Sequence, residues 1–205
     1  MNRVVTKLFE YGQTEIEYLK KQDENLGRAI DRLGKVEREI IPDLFSALVY
    51  AIVGQLVSVK VAHTVWDRMQ VRLGDITPKN ISSHSVNDIQ NCGMTMKKAA
   101  CIHSIAHAIK AGEWDIEALR DLPDDEVIRL LTMLNGIGRW TAEMLLINSM
   151  ERQDVVSWGD MAIRRGMMKL YNLSDLSKAE FEQYRQTYSP FGSVASIYLW
   201  AISFD

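Results

Sequence analysis

The run Leu134-Asn135-Gly136-Ile137-Gly138-Arg139-Trp140-Thr141 constrains this chain more than any other, because it interrupts two helical patterns within a few residues. Upstream, Val127, Leu130, Leu131 and Leu134 recur at i, i+3, i+4 and i+7, one face of an amphipathic helix. Downstream, from about Trp140 to Met150, the pattern is apolar almost all round, which suits a helix buried in the middle of a fold. The Gly-x-Gly between them is not a dinucleotide fingerprint. That motif needs a preceding strand and a third glycine, and position 141 is Thr. What remains is two helices joined by a glycine turn. The amides of Gly136 and Gly138, with the free N–H groups that open the next helix, would form a small positive concavity able to take a phosphate. An ordinary helix–helix turn fits the same residues, and both readings stand at this point.

The rest of the chain reads as helix. Thr14 is placed to cap a helix running to about Leu33, and Asp43 after Pro42 opens another at Leu44. Ser58 caps a segment through Trp66 to Leu73, Ser85 a short one that stops near Gly93, and Thr95 one that ends near Gly112. Further helices follow Asp160, Ser177 and Pro190. No run alternates apolar and polar residues between tight turns, and neither a repeat nor a linker is visible. The expected class is all-α.

Composition narrows the function classes. With 205 residues, 47% hydrophobic and 25% charged, the chain has the make-up of an ordinary globular protein. Its longest apolar stretch, Leu44 to Val57, is broken by Ser46, Tyr50, Gly54 and Gln55 and is too short to cross a bilayer. The opening residues Met1 to Lys7 lack the apolar block of a secretory leader, so a cytoplasmic protein is expected, at the nucleoid in a bacterium. Two cysteines, Cys92 and Cys101, exclude a disulfide scaffold, a four-cysteine zinc site and an iron–sulfur cluster. Net charge is −3, yet no acid lies between Asp88 and Glu113, where Lys97, Lys98, His103, His107 and Lys110 fall. That is either a basic face or a solvated helix surface. His103 and His107 share a helix face, but the residues between them supply no glutamate of the zinc-protease kind.

Asp160 ends Val155-Val156-Ser157-Trp158-Gly159 and precedes a helix carrying Ala162, Ile163, Met167 and Leu170. It suits an N-cap. The same position has a chemical reading: helix-terminal N–H donors favour an anion, and an anion facing a sugar stabilises the positive charge that develops as a glycosidic bond breaks.

The stretches Leu134–Leu146 and Val155–Gly166 resemble the helix-hairpin-helix and catalytic-aspartate signature of the DNA base-excision glycosylase superfamily. Ile52-Val53-Gly54-Gln55-Leu56-Val57-Ser58 is similar to the minor-groove loop of its 3-methyladenine DNA glycosylase II branch. Gly93–Ala99 and Pro190–Trp200 resemble that branch as well. Together the motifs span Phe45 to Trp200. Two departures bear on pocket shape: Ser157 and Trp158 stand where the family usually has a proline, and Gly192 where a larger polar residue is common.

The resemblance implies a single domain over 1–205, a two-lobed helical bundle with an active-site cleft between the lobes (lobe A about 1–42 plus 156–205, lobe B about 43–155). It implies base flipping, hydrolysis of the N-glycosidic bond of alkylated purines and an abasic product. Asp160 becomes the catalytic carboxylate and Leu56 the wedge that fills the vacated stack, with Gln55 beside it. Ser58, Lys97, Gly136, Gly138, Arg139 and Thr141 are expected to meet DNA. Trp140, Trp158, Tyr188 and Phe191 are expected to line the base pocket, since aromatic faces attract cationic rings. Relatives that also nick the strand use a lysine at the position of Trp140, so water is the expected nucleophile here. No cofactor is required. A monovalent cation is optional, on the carbonyls of Thr132, Leu134 and Ile137. Double-stranded DNA is the expected partner of a monomer, with no membrane. Oxidised or deaminated bases as substrates, or a non-catalytic DNA-binding module, are the alternatives.

Overall fold

The computed structural model describes residues 4–205; Met1-Asn2-Arg3, part of the opening stretch Met1 to Lys7, lies outside the described residues. The elements run β1 (Lys7–Leu8), α1 (Gln13–Gln22), α2 (Glu24–Leu33), β2 (Glu39–Ile40), α3 (Leu44–Gly54), α4 (Val59–Leu73), α5 (Pro78–Ile81) and α6 (Val86–Gln90). They continue with α7 (Met96–Lys110), a 3-10 turn at Glu117–Asp121, α8 (Asp124–Thr132), α9 (Arg139–Asn148), α10 (Met161–Leu170), α11 (Lys178–Tyr188) and α12 (Gly192–Phe204). Among the described residues the protein is all-α apart from the two-stranded ribbon of β1 and β2. Two-residue strands are too short to show a period of two, which is why the sequence pattern did not signal them.

Most helix starts follow from short polar side chains. Asp43 accepts from the Ser46 N–H at 2.7 Å, and Ser58, Ser85, Thr95 and Ser177 cap α4, α6, α7 and α11 in the same way. One start differs from expectation. The segment predicted as one helix from Thr14 to Leu33 is two, because Asp23 leaves helical geometry and its side chain caps α2 through the Leu26 N–H at 2.9 Å. Gly12, not Thr14, precedes α1, and its N–H is taken by Glu15 at 2.8 Å.

The chain divides into two compact units. The first comprises the segment up to Lys7 with Ile40–Met150, in which α3 packs on α4, α7 and α9, and α8 on α9. The second comprises Leu8–Glu39 with Glu151–Asp205, and its centre is the pair α10 and α12. That pair is close because of Gly166: a Cβ there would lie 2.0 Å from the Leu199 carbonyl oxygen. Val194, Ala195, Ile197, Tyr198 and Leu199 on α12 are buried, each large side chain contributing roughly 1.5–3 kcal/mol.

Candidate active site

In the first unit, α8 and α9 form the expected hairpin. The Leu134 carbonyl accepts the Ile137 N–H at 3.1 Å, and Ile137 plugs the core between the two glycines. Gly136 sits at φ +90°, and a Cβ there would be 3.1 Å from the Cys101 sulfur. The Cys101 thiol donates to the Asn135 carbonyl at 3.0 Å, and burial pushes its pKa up to about 11. Gly138 differs. Its backbone is extended (φ −96°, ψ 171°), and nothing lies within 4 Å of where a Cβ would be. The fold therefore demands a glycine at 136 but not at 138, where the missing side chain leaves the opening amides of α9 accessible to an incoming group.

The loop after α3 is tied to this hairpin. Gln55 Nε2 donates to the Gly136 carbonyl at 3.1 Å and to Thr141 Oγ1 at 2.9 Å. Leu56 is fully exposed, at 105%, with φ +55°. It is thus no core leucine ending a helix. Thr141, expected to meet DNA, is 2% exposed and its hydroxyl accepts the Gln55 amide, which leaves its backbone N–H near the start of α9 as the group it could offer a strand. Arg139 is exposed and pairs through Nε with Glu143 at 2.7 Å, a 6% exposed carboxylate one turn on. The i, i+4 spacing of that pair was visible in the sequence. Ser58 is exposed and receives the Val61 N–H at 3.3 Å, and Lys97 is exposed at the start of α7. Lys98, its neighbour, is half-buried instead, and donates from Nζ to the carbonyls of Val53 (2.9 Å) and Gln55 (2.6 Å). Neither a basic face nor a solvated surface describes the whole stretch, since Lys97 is exposed and Lys98 is turned onto backbone carbonyls. Trp140 is half-buried on α9.

Thr132 closes α8, and the last carbonyls of a helix lack partners within it. With those of Leu134 and Ile137 they offer hard oxygen donors, the type an alkali cation takes. Among the described residues, no three His, Cys, Asp or Glu side chains stand together as a metal site, and no helix is long and apolar enough to cross a membrane.

In the second unit, Asp160 caps α10. Its Oδ1 accepts from the N–H groups of Ala162 (2.9 Å) and Ile163 (3.0 Å) and from the indole N–H of Trp200 (3.2 Å), and the residue is 8% exposed. The Arg38 guanidinium lies 4.3 Å from the Trp200 ring centre and buttresses that indole. Sequence reasoning missed Trp200 as a partner, since a contact 40 positions away leaves no local signal. Trp158 is half-buried, edge-on to Phe181 at 5.2 Å, with the Arg164 guanidinium 4.7 Å from its ring centre. Phe191, also half-buried, meets Tyr18 edge-on at 5.2 Å. Tyr188 is 0% exposed and its hydroxyl meets that of Tyr171 at 2.7 Å, so it belongs to the core and not to a pocket surface. The departure at Gly192 has a steric cause. Its N–H donates to Asp154 Oδ1 at 3.2 Å, and a Cβ would lie 2.6 Å from that oxygen and 2.8 Å from Val156 Cγ2. Ser157 is buried, and its carbonyl receives the Asp160 N–H at 3.2 Å.

The sequence family described as "HhH-GPD superfamily base excision DNA repair protein" matches residues 49–190, which contain the hairpin, the Gln55 loop and Asp160. The chain belongs to this superfamily. It is 30% identical over 197 residues to DNA-3-methyladenine glycosylase 1 of Schizosaccharomyces pombe, covering 91% of this chain and 85% of that one. It is 26% identical over 169 residues to DNA-3-methyladenine glycosylase 2 of Escherichia coli, covering 77% of this chain and 57% of the relative. Among solved structures, the S. pombe 3-methyladenine DNA glycosylase in complex with abasic DNA superposes with a TM-score of 0.85 at 30% identity, over 92% of this chain and 95% of that one. An 8-oxoguanine glycosylase/lyase of Clostridium acetobutylicum shares the fold, with a TM-score of 0.77 at 20% identity over 94% of this chain and 70% of its own.

Proposed function

We propose that this chain is a monofunctional DNA glycosylase that flips an alkylated purine of the 3-methyladenine type out of double-stranded DNA, hydrolyses its N-glycosidic bond and leaves an abasic site. The observation that carries the reading is the carboxylate of Asp160, clamped through Oδ1 by two backbone N–H groups and the Trp200 indole. An anion held in advance stabilises the charge that gathers on deoxyribose without having to reorganise as the bond breaks. A purine alkylated at a ring nitrogen already carries positive charge and leaves readily, so one carboxylate and a water suffice and no cofactor is needed. Trp140 supports the monofunctional reading, since an indole cannot form a Schiff base with the sugar.

On this reading Leu56 enters the vacated stack, Gln55 and Ser58 face the duplex beside it, and Lys97 and Arg139 approach phosphates. The amides of Gly136 and Gly138 hold the backbone. A monovalent cation on the carbonyls of Thr132, Leu134 and Ile137 would add positive charge there. Trp158 and Phe191, in the same unit as Asp160, receive the cationic base. The whole chain acts as one domain and as a monomer, in the cytoplasm.

Asp160→Asn keeps an acceptor for the N-cap, so the fold survives. Base release from methylated duplex DNA should then fall at least about 100-fold. Unchanged release would end the catalytic assignment. Borohydride treatment of the wild type during turnover should trap no covalent DNA adduct; efficient trapping would overturn the monofunctional reading.

A further inference from the structure

The carbonyls that end α3 lack partners within the helix. Two parts of the chain far from Leu56 in sequence, Lys98 and the hairpin, hold it at this point. Lys98, half-buried on α7, donates to the carbonyls of Val53 and Gln55, placing a cation at the negative end of α3. Gln55 then reaches the other way, with its amide nitrogen on the Gly136 carbonyl and Thr141 Oγ1. Immediately past these anchors, Leu56 occupies the left-handed region at φ +55° with its side chain wholly in solvent. A leucine keeps such a backbone only where its surroundings over-determine it.

We infer that Lys98 is a positioning residue: with Gln55 it forms a clamp that fixes the Leu56 loop in its outward form before DNA arrives. The inference rests on the reading of Leu56 as a wedge, and gives that reading a device. Withdrawing an ammonium group from water is tolerated only where acceptors replace the water, and here two carbonyls do so. Burial also holds the Lys98 pKa below the ordinary lysine range. A wedge on a slack loop would consume binding energy in ordering itself; on a fixed loop that energy goes into unstacking the target. The clamp should therefore matter in proportion to how firmly the target base is stacked and paired.

The test uses the full chain and two duplexes with 2-aminopurine beside a target purine. In one the target is paired with a pyrimidine; in the other it lies opposite an abasic analogue. Fluorescence rises when the target leaves the stack. For Lys98→Met the protein concentration giving half the rise should increase about tenfold on the paired duplex, the scale of losing charge-assisted hydrogen bonds, and less than about twofold on the unpaired one. Lys98→Arg, which can still donate to both carbonyls, should recover most of the difference. An equal loss on both duplexes would overturn the clamp, because a general fall in stability or a plain phosphate contact acts on both alike. No loss on either would overturn it too. If Lys98→Met melts below the assay temperature, Gln55→Ala removes the hairpin side of the clamp and must show the same paired-over-unpaired pattern. A wild type that brightens but releases no base would sink the glycosylase reading and leave the clamp standing. A wild type that brightens neither duplex has no wedge to position, and the clamp falls.

Discussion

Substituting alanine at each of the two hairpin glycines separates what the fold needs from what DNA needs. At Gly136 the backbone stands at φ +90°, and the new Cβ would meet Cys101 Sγ at 3.1 Å and its Cβ at 3.3 Å. Left-handed geometry costs an alanine roughly 1–2 kcal/mol, and crowding a packed site adds roughly 1–3 kcal/mol. For a chain of this length each kcal/mol corresponds to about 2–4 °C in Tm, so Gly136→Ala should melt at least about 4 °C below wild type. Gly138 has an ordinary φ and open space around the added methyl, and replacing glycine by alanine at an N-cap costs at most roughly 1 kcal/mol. Gly138→Ala should therefore fold almost as stably as wild type. It should still bind duplex DNA at least about tenfold more weakly at low salt, because the methyl stands between a phosphate and the opening amides of α9. Thermal melts followed by circular dichroism and DNA titrations at two salt concentrations decide the matter. Equal Tm losses in the two variants would refute the steric reasoning. Wild-type affinity in Gly138→Ala would refute main-chain phosphate binding at this turn.

Leu56→Ala removes a side chain that touches solvent alone, so stability should change by less than about 0.5 kcal/mol, while release of a paired damaged base falls; a marked loss of stability would place Leu56 in the core after all. Gly166→Ala drives a Cβ to within 2.0 Å of the Leu199 carbonyl oxygen and should cost more than about 4 kcal/mol, seen as a collapsed melting transition; a wild-type melt would contradict the packing of α10 on α12. The Cys101 thiol, raised from 9.0 to about 11, holds its proton more firmly folded than unfolded, so its contribution is complete below pH 9 and is lost as pH climbs through 11. Between those limits the wild-type Tm should fall faster with pH than that of Cys101→Ala, and parallel curves would count against the buried-thiol account.

The sequence by itself determined those features whose partners lie within one helical turn. Asp43, Ser58, Ser85, Thr95, Asp160 and Ser177 cap the N–H groups two or three positions on, so a short polar side chain ahead of an apolar pattern was enough to place each helix start. The hairpin was legible for the same reason, since two glycines between opposed helical patterns leave the backbone little else to do. The break at Asp23 escaped because the patterns on either side of it run on as one. What only the tertiary structure decided are relations between distant segments. Trp200 reaches Asp160 across 40 positions, Lys98 reaches Val53 across 45, and the Gly166 surface admits the Leu199 backbone. Tyr188 and Thr141 turned inward, and Leu56 outward, on the same ground. Whether an aromatic or aliphatic side chain is buried depends on which surfaces meet, and that is fixed by packing through space, of which the order of residues along the chain carries no local trace.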